Sequence, residues 1–356
     1  MKTTAANAKP VLVTGGAGFI GSNLADRLAR DGHHVLVLDS LTRPGVERNA
    51  RWLSSRHPAA ITMMTADIRN VGAVNEAVRK ASAVFHLAAQ VAVTSSLADP
   101  ADDFAVNLQG TMNVLEAVRA CPQRIPVIFA STNKVYGDLA DVALSVRGDA
   151  YQPDDDILRR RGVSEERPLD FHTPYGCSKG AADQYVLDYA RSFRLPAAVM
   201  RMSCIYGPRQ FGTEDQGWVA HFLIRALKNE PIAIYGDGRQ VRDILYVDDA
   251  VEGYVRALQH IDHIAGRAFN LGGGPANAVS LRQLVAHIET LIGRRVATSF
   301  HDWRSGDQRY YVSDMRRAMR ALDLATPVPW RTGVARLVEW LAGAMEAAPK
   351  RHLVKA

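Results

Sequence analysis

Cysteine is scarce in this chain: Cys121, Cys177 and Cys204 are the only three among 356 residues. They cannot supply a disulfide framework, and no two stand at the Cys-x-x-Cys spacing that structural zinc sites use. Long apolar runs are missing as well. No stretch approaches the roughly 20 apolar residues of a membrane span, and the opening MKTTAANAKP has no apolar core of signal-peptide length. A cytoplasmic protein without a membrane partner is the expectation. Dense basic runs are absent too, the nearest being Arg159-Arg160-Arg161 and Lys350-Arg351. The 43 Lys+Arg against 37 Asp+Glu leave a formal charge of +6, which invites a phosphate-bearing partner. Without a basic stripe that charge does not single out nucleic acid, and a small nucleotide would reward it equally. Disorder is excluded by 47% hydrophobic and 22% charged residues. No internal repeat or low-complexity segment is visible.

What is present is a regular alternation of short apolar runs with amphipathic stretches. Lys9–Thr14, His34–Asp39, Ile61–Thr65, Ala83–Leu87, Pro126–Ala130 and Ala197–Arg201 read as strands; Phe19–Arg30, Asp103–Arg119 and Tyr175–Arg191 read as helices. Strands separated by helices imply right-handed βαβ units, hence an α/β fold with a doubly wound parallel sheet of the Rossmann type. Residues 138–168 break the rhythm with a charged insertion carrying Asp154-Asp155-Asp156, expected to be a solvated loop or lid. Beyond Gly207 the segments shorten, which suggests a smaller C-terminal substrate-binding cap. The expected division is a dinucleotide-binding unit over 1–206 and a cap over 207–356, with the chain near 240–275 crossing back.

At the first strand–helix junction stands Thr14-Gly15-Gly16-Ala17-Gly18-Phe19-Ile20-Gly21. Glycines there permit a tight turn, close approach of backbone N–H groups to a pyrophosphate and close packing of helix on strand. A second strand ends at Asp39, followed by Ser40. An acid at that place accepts hydrogen bonds from the ribose hydroxyls and repels a 2′-phosphate, so NAD is favoured over NADP. Arg43 is the dissenting residue, read as packing on the adenosine.

Tyr175 and Lys179 form Tyr-x-x-x-Lys, and a spacing of four places both side chains on one helical face. The phenol must lose roughly 3 pKa units to act as a base near neutrality, about 4 kcal/mol of preferential stabilisation of phenolate. One cation at about 4 Å in an effective dielectric of about 20 supplies that much. Lys179 is therefore expected to lower the Tyr175 pKa and to hold the nicotinamide ribose. Thr132, at the end of a strand, would bind the substrate hydroxyl whose proton Tyr175 removes.

These residues, together with Asp67-Ile68, Leu87-Ala88-Ala89-Gln90, Asn107, Tyr206-Gly207-Pro208-Arg209, the run Gly236–Asp243 and Asp307-Gln308-Arg309, resemble an extended short-chain dehydrogenase/reductase acting on nucleotide sugars. The resemblance implies that Asp67 and Ile68 meet the adenine, that Leu87, Ala88, Ala89, Gln90 and Asn107 line the cofactor cleft, and that Arg242 and Arg309 grip the substrate diphosphate. Arginine suits phosphate because it makes bidentate charge-assisted hydrogen bonds. Assembly into a homo-oligomer, dimer or tetramer, is implied as well.

Similar folds run several reactions, so the fold alone does not choose one. Sugar-nucleotide 4,6-dehydratases resemble one another in an acidic pair after the catalytic Thr; here Asn133 and Lys134 occupy those positions and are read as unable to do that acid/base work. Epimerisation remains. Ser131-Thr132-Asn133-Lys134-Val135-Tyr136-Gly137, Arg43–Asn49, Phe171–Gln184 and Asp215–Val219 are similar to the subfamily of CDP-paratose 2-epimerases, which implies transient oxidation at C2 of a CDP-linked hexose. Asn133, Gln216 and Val219 are the further candidates for substrate contact. The competing readings are a UDP-hexose or UDP-uronate 4-epimerase and, from another class, a non-catalytic dinucleotide-binding regulator. Cys177 is read as a helix packer, His33, His34 and His86 lack ligand spacing, and Trp330 and Trp340 are expected in a core; no metal site is expected.

Overall fold

The computed structural model describes residues 9–304 and 306–346; most of MKTTAANAKP and the Lys350-Arg351 pair lie outside the described residues. Seven strands, β1 (Val11–Thr14), β2 (Val35–Asp39), β3 (Ile61–Thr65), β4 (Ala83–His86), β5 (Val127–Thr132), β6 (Ala197–Met202) and β7 (Ala268–Leu271), form one parallel sheet in the order β3-β2-β1-β4-β5-β6-β7. The inner strands are continuously apolar because both faces are covered. Side chains alternate between faces, so Val11 and Val13 enter one core layer with Leu24 and Leu28 of helix α1 (Phe19–Arg30), while Leu12 enters the other with Val114 and Val118. The order reverses between β1 and β4, which opens a crevice at the carboxyl ends of the strands.

The expected helix over Asp103–Arg119 is in fact three pieces: Pro100–Phe104, a π-helical turn Ala105–Gln109, and Gly110–Arg119. The widened turn places Asn107 among buried polar groups, a use to which π turns are often put. The insertion also departs from expectation. Instead of a loose loop it holds an antiparallel hairpin, Leu144–Arg147 with Ala150–Pro153, and a helix Asp156–Arg161 capped by the Asp155 side chain. It is stitched to distant segments through Tyr151 N–H to the Arg239 carbonyl at 2.9 Å and Val163 N–H to the Val312 carbonyl at 2.7 Å.

The later half builds a small mixed sheet from Cys204–Tyr206, Val241–Tyr246, Ala278–Ser280 and Tyr310–Tyr311, and a parallel pair from Ile232–Tyr235 and Thr298–His301. Helices Trp218–Leu227, Leu281–Ile292 and Trp330–Glu346 close its core around Phe222, Leu223, Leu284 and Val334. Trp330 is buried there and Trp340 packs against it. The chain returns to the large sheet through Val247–Gln259, whose Val251 and Tyr254 join the α1 layer, and through β7. A second return at Arg316–Leu322 adds Ala318 and Leu322 to the same layer.

Candidate active site

The loops after β1 and β4 meet at the reversal point. Gly15 has φ +67°, and a Cβ there would lie 2.7 Å from the Ala88 nitrogen; one on Gly21 would lie 2.2 Å from the Gly15 carbonyl oxygen. Those two glycines serve packing of chain on chain. Gly18 differs, because its Cβ would meet nothing nearer than the Gly15 oxygen at 3.1 Å, leaving its other side open to the cleft. The loops are locked beneath by His86, whose Nδ1 pairs with Thr14 Oγ1 at 2.7 Å and whose Nε2 pairs with Thr111 Oγ1 at 3.0 Å. Burial drives the His86 pKa down to about 3, so it is a neutral core histidine.

A cleft of about 990 Å³ runs from these loops to the cap. Gly15, Gly18, Phe19, Ile20, Gly21, Asp39, Ser40, Arg43, Asp67, Ile68, Leu87, Ala88, Ala89 and Gln90 line one half of it. Asp39 accepts hydrogen bonds from the Ala17 and Leu41 N–H groups, each at 2.9 Å, which leaves part of a carboxylate's acceptor capacity toward the cleft. Asp67 is held in a fork by Arg69, at 2.7 and 3.0 Å, and its pKa falls through those hydrogen bonds. Asn107 is a correction. It does not line the cleft but lies behind its wall, accepting from Gln90 N–H at 2.9 Å and donating to Asp103 and Ser178, each at 3.1 Å.

β5 delivers Ser131 and Thr132 to the cleft, and the helix Thr173–Ser192 delivers Tyr175. Thr173, just before Tyr175, has φ +62°, a strained conformation for a β-branched residue. Gly180 lets the Phe171 ring lie against the helix, since a Cβ there would be 2.4 Å from it. Below, Asp183 accepts from Ser131 Oγ at 2.7 Å and from Arg201 twice at 2.9 Å, a buried pair that ties β5, β6 and this helix together.

The expected electrostatics of Tyr175 and Lys179 are corrected. Lys179 Nζ donates to the Ala130 carbonyl at 2.6 Å and sits 4.1 Å from the Phe129 ring centroid, behind the lining rather than in it. Burial lowers its pKa to about 7, against the opposing pull of Asp183 and Asp103. Burial likewise pushes Tyr175 up to about 12, opposed by a hydrogen bond with Thr132. Desolvation penalises the charged form of both groups and outweighs the attraction assumed from their spacing.

On the cap side Thr132, Asn133, Gln216, Val219 and Arg242 line the cleft. Asn133 donates to Gln308 Oε1 at 3.1 Å, and Arg242, buried, pairs with Asp307 at 2.6 Å. Arg309 is a further correction: it is exposed and lies 5.8 Å from the Tyr151 ring centroid and 5.5 Å from that of Trp303, outside the lining. The arginine that does reach the cleft from this segment is Arg304, 3.7 Å from the Tyr235 ring centroid and 2.8 Å from Glu214. Nothing in periodicity or spacing marked Arg304 or Asp307 as facing a ligand. Lys134, read from the sequence as unable to do a dehydratase's acid/base work, also lines the cleft, donates to the Gly306 carbonyl at 3.0 Å and has its pKa lowered to about 8 by burial and by Arg242. None of residues 138–168 reaches the cleft, and Cys177 is exposed rather than packed. Elsewhere Asp138, Asp170 and His172 bring one ligand atom each within 4.8 Å of one another, a cluster at the surface with Asp138 half-buried that the sequence did not announce.

A glycine loop at the reversal of a parallel sheet, an acid at the end of β2, and a Thr–Tyr–Lys set at the ends of β5 and its following helix define a dinucleotide-dependent oxidoreductive enzyme. The chain matches the NAD dependent epimerase/dehydratase family over residues 11–272 and belongs to it. It is 42% identical over 337 residues to the CDP-paratose 2-epimerase of Salmonella typhi, covering 93% of this chain and 98% of that one. It is 34% identical over 330 residues to the UDP-glucose 4-epimerase of Mycolicibacterium smegmatis, covering 92% and 97%. The fold superposes on the Thermotoga maritima UDP-glucose 4-epimerase with UDP-glucose at a TM-score of 0.81, with 29% identity, covering 94% and 99%. It matches the Bacillus cereus UDP-glucuronic acid 4-epimerase, in complex with UDP-glucuronic acid and NAD, at 0.80 with 27% identity and the same coverage. The protein is an NAD-dependent epimerase. The open face of Gly18 and the free acceptor capacity of Asp39 fit a dinucleotide with unsubstituted ribose hydroxyls. Among the described residues no helix is long and apolar enough to cross a membrane.

Proposed function

We propose that the protein inverts C2 of a CDP-linked hexose, of the kind that interconverts CDP-paratose and CDP-tyvelose. The observation that carries this reading is the 42% identity to a CDP-paratose 2-epimerase across 93% of the chain, above the 34% shared with a UDP-glucose 4-epimerase. NAD, when bound in this cleft, would supply the hydride acceptor and donor for C2. The open side of Gly18, in the loop that Gly15 and Gly21 let pack tightly, would hold its diphosphate end, Asp39 and Ser40 its ribose, and Asp67 and Ile68 its adenine, with Arg43 beside it. Thr132 hydrogen-bonds the C2 hydroxyl and Tyr175 takes its proton. Lys179 acts from behind as a positioning residue, its ammonium holding the Ala130 carbonyl at 2.6 Å on the strand that carries Thr132. The 2-keto sugar turns over in the cleft, and Tyr175 returns the proton after hydride reaches the opposite face. Arg242 holds the diphosphate, while Gln216 and Val219 border the nucleotide. Asn133 is tied to Gln308 and offers no acid, which speaks against dehydration.

Two copies of the chain are proposed to pair through the helices Val93–Ala98, Pro100–Phe104 and Thr173–Ser192, which expose Leu97, Phe104 and Tyr185.

The test is NMR of CDP-, UDP-, GDP- and dTDP-hexoses after incubation with the protein, reading which carbon inverts, together with assay of NAD released on denaturation. Inversion at C2 of CDP-sugars with bound NAD is expected. Inversion at C4 of UDP-glucose with CDP-sugars untouched makes it a 4-epimerase; no turnover makes it a dinucleotide-binding regulator.

A further inference from the structure

Lys134 is a half-buried cation in the cleft that the reaction above leaves without a task. Its backbone is fixed to the catalytic threonine, because its N–H donates to Thr132 Oγ1 at 3.2 Å and opens the 3-10 turn Asn133–Tyr136. Its side chain reaches toward the cap, where Nζ donates to the Gly306 carbonyl at 3.0 Å. An ammonium has three N–H donors. Among the described residues no other hydrogen-bond partner and no carboxylate within ion-pair distance engages it; the nearby Asp307 is taken by Arg242 at 2.6 Å. Arg242, Asp307, Asp138 and Cys204 all act on its charge, and with its pKa near 8 it is mostly protonated at pH 7.

Lys134 thus stands between the hydroxyl-binding Thr132 and the phosphate-binding Arg242. The covalent structure of a nucleotide sugar makes that position informative. C1 carries the oxygen that leads to the β-phosphate, C2 is its direct neighbour, and C4 lies across the ring. One ammonium can reach both the reacting oxygen and a β-phosphate oxygen only when the reacting carbon is beside C1.

Resting on the C2 reading above, we propose that Lys134 is a specificity-determining residue whose ammonium bridges the C2 oxygen and the β-phosphate, holding the C1 edge of the sugar against Thr132 and Tyr175. Arg242 anchors the diphosphate from the cap, and Lys134 sets how close that anchor comes to the reacting carbon. The keto sugar can then turn while its phosphate end stays in place.

CDP-paratose and CDP-glucose are the probes, with NMR reading inversion at C2 and at C4. The wild type is expected to invert C2. Lys134→Met, and Lys134→Gln, which keeps a donor for Gly306 but carries no charge, are expected to lose C2 turnover by about a hundredfold, the scale of a displaced reacting group. Both should keep bound NAD and an unchanged melting temperature, and Lys134→Arg should recover part of kcat. Uncharged variants that turn over C2 within about twofold of wild type overturn the role of Lys134 while leaving the C2 reading intact. A wild type that leaves C2 untouched overturns both.

Discussion

Tyr175 and Lys179 show what spacing alone conveys at the scale of single residues. Their sequence interval placed both on one helical face, and the structure has them there. The interval could not show how much water each loses, and desolvation decides their titration. Burial holds Lys179 near 7 against its ordinary 10.5. Between those values the unfolded chain carries a proton that the folded chain lacks. The stability linked to this group is therefore fully present above 10.5 and is lost as pH falls through that window to about 7. Lys179→Met removes the titration and leaves the Ala130 carbonyl without its donor, a constant cost of about 1–3 kcal/mol. The expected result concerns the slope. In NAD-free protein, unfolding free energy of the wild type relative to Lys179→Met should rise toward pH 10 by up to about 1.4 kcal/mol per unit, while the variant has no turnover. Denaturant unfolding across pH 7 to 10 measures it, and a flat difference would mean that Lys179 is not desolvated.

Among elements, the glycine loop was legible because its signal is local: a strand, a turn and a helix start contiguous in sequence. What the sequence left undivided was the work of its glycines. Gly21 is demanded by the Gly15 carbonyl at 2.2 Å, whereas Gly18 faces only that same oxygen at 3.1 Å. Gly21→Ala should therefore destabilise the protein by about 1–3 kcal/mol, as overpacking does. Gly18→Ala should fold with a near-normal melting temperature yet release no NAD on denaturation, since its methyl fills the phosphate side of the loop. Thermal melting paired with cofactor release separates the two; equal destabilisation would remove the distinction. The hairpin and helix of the insertion were not legible for the opposite reason. Their ordering partners are Arg239 and Val312, far away in the chain, and a charged segment carries no periodicity that announces them. The π turn at Asn107 escaped likewise, because five residues of altered winding inside a helical pattern leave no mark on its hydrophobic spacing.

For the molecule as a whole, the sequence pattern anticipated the doubly wound sheet, while the helix Arg316–Leu322, which adds Ala318 and Leu322 to its core, carried no signal of its own. Part of the positive charge now reads as local. Arg242, Lys134 and Arg304 face the cleft where a sugar nucleotide would bring its phosphates, while Arg309 sits at the surface. The same surface carries the clue to assembly. Phe104 is 55% exposed, Leu97 48% and Tyr185 45%, and the helices that carry them pack on one another beside Tyr175, the proposed base. Leaving such apolar area in water costs about 25 cal/mol per Å², and a second copy of the same helices would cover it through a self-complementary twofold contact. Light scattering coupled to size exclusion should give the wild type twice its chain mass. Phe104→Glu with Tyr185→Glu should shift it to the single-chain mass, because each charge would be buried against apolar partners. A wild type that is monomeric at tens of micromolar, or a double variant that stays dimeric, would place the assembly face elsewhere. Since the helix Thr173–Ser192 belongs to both the face and the site, the separated variant should also lose activity while keeping its bound NAD.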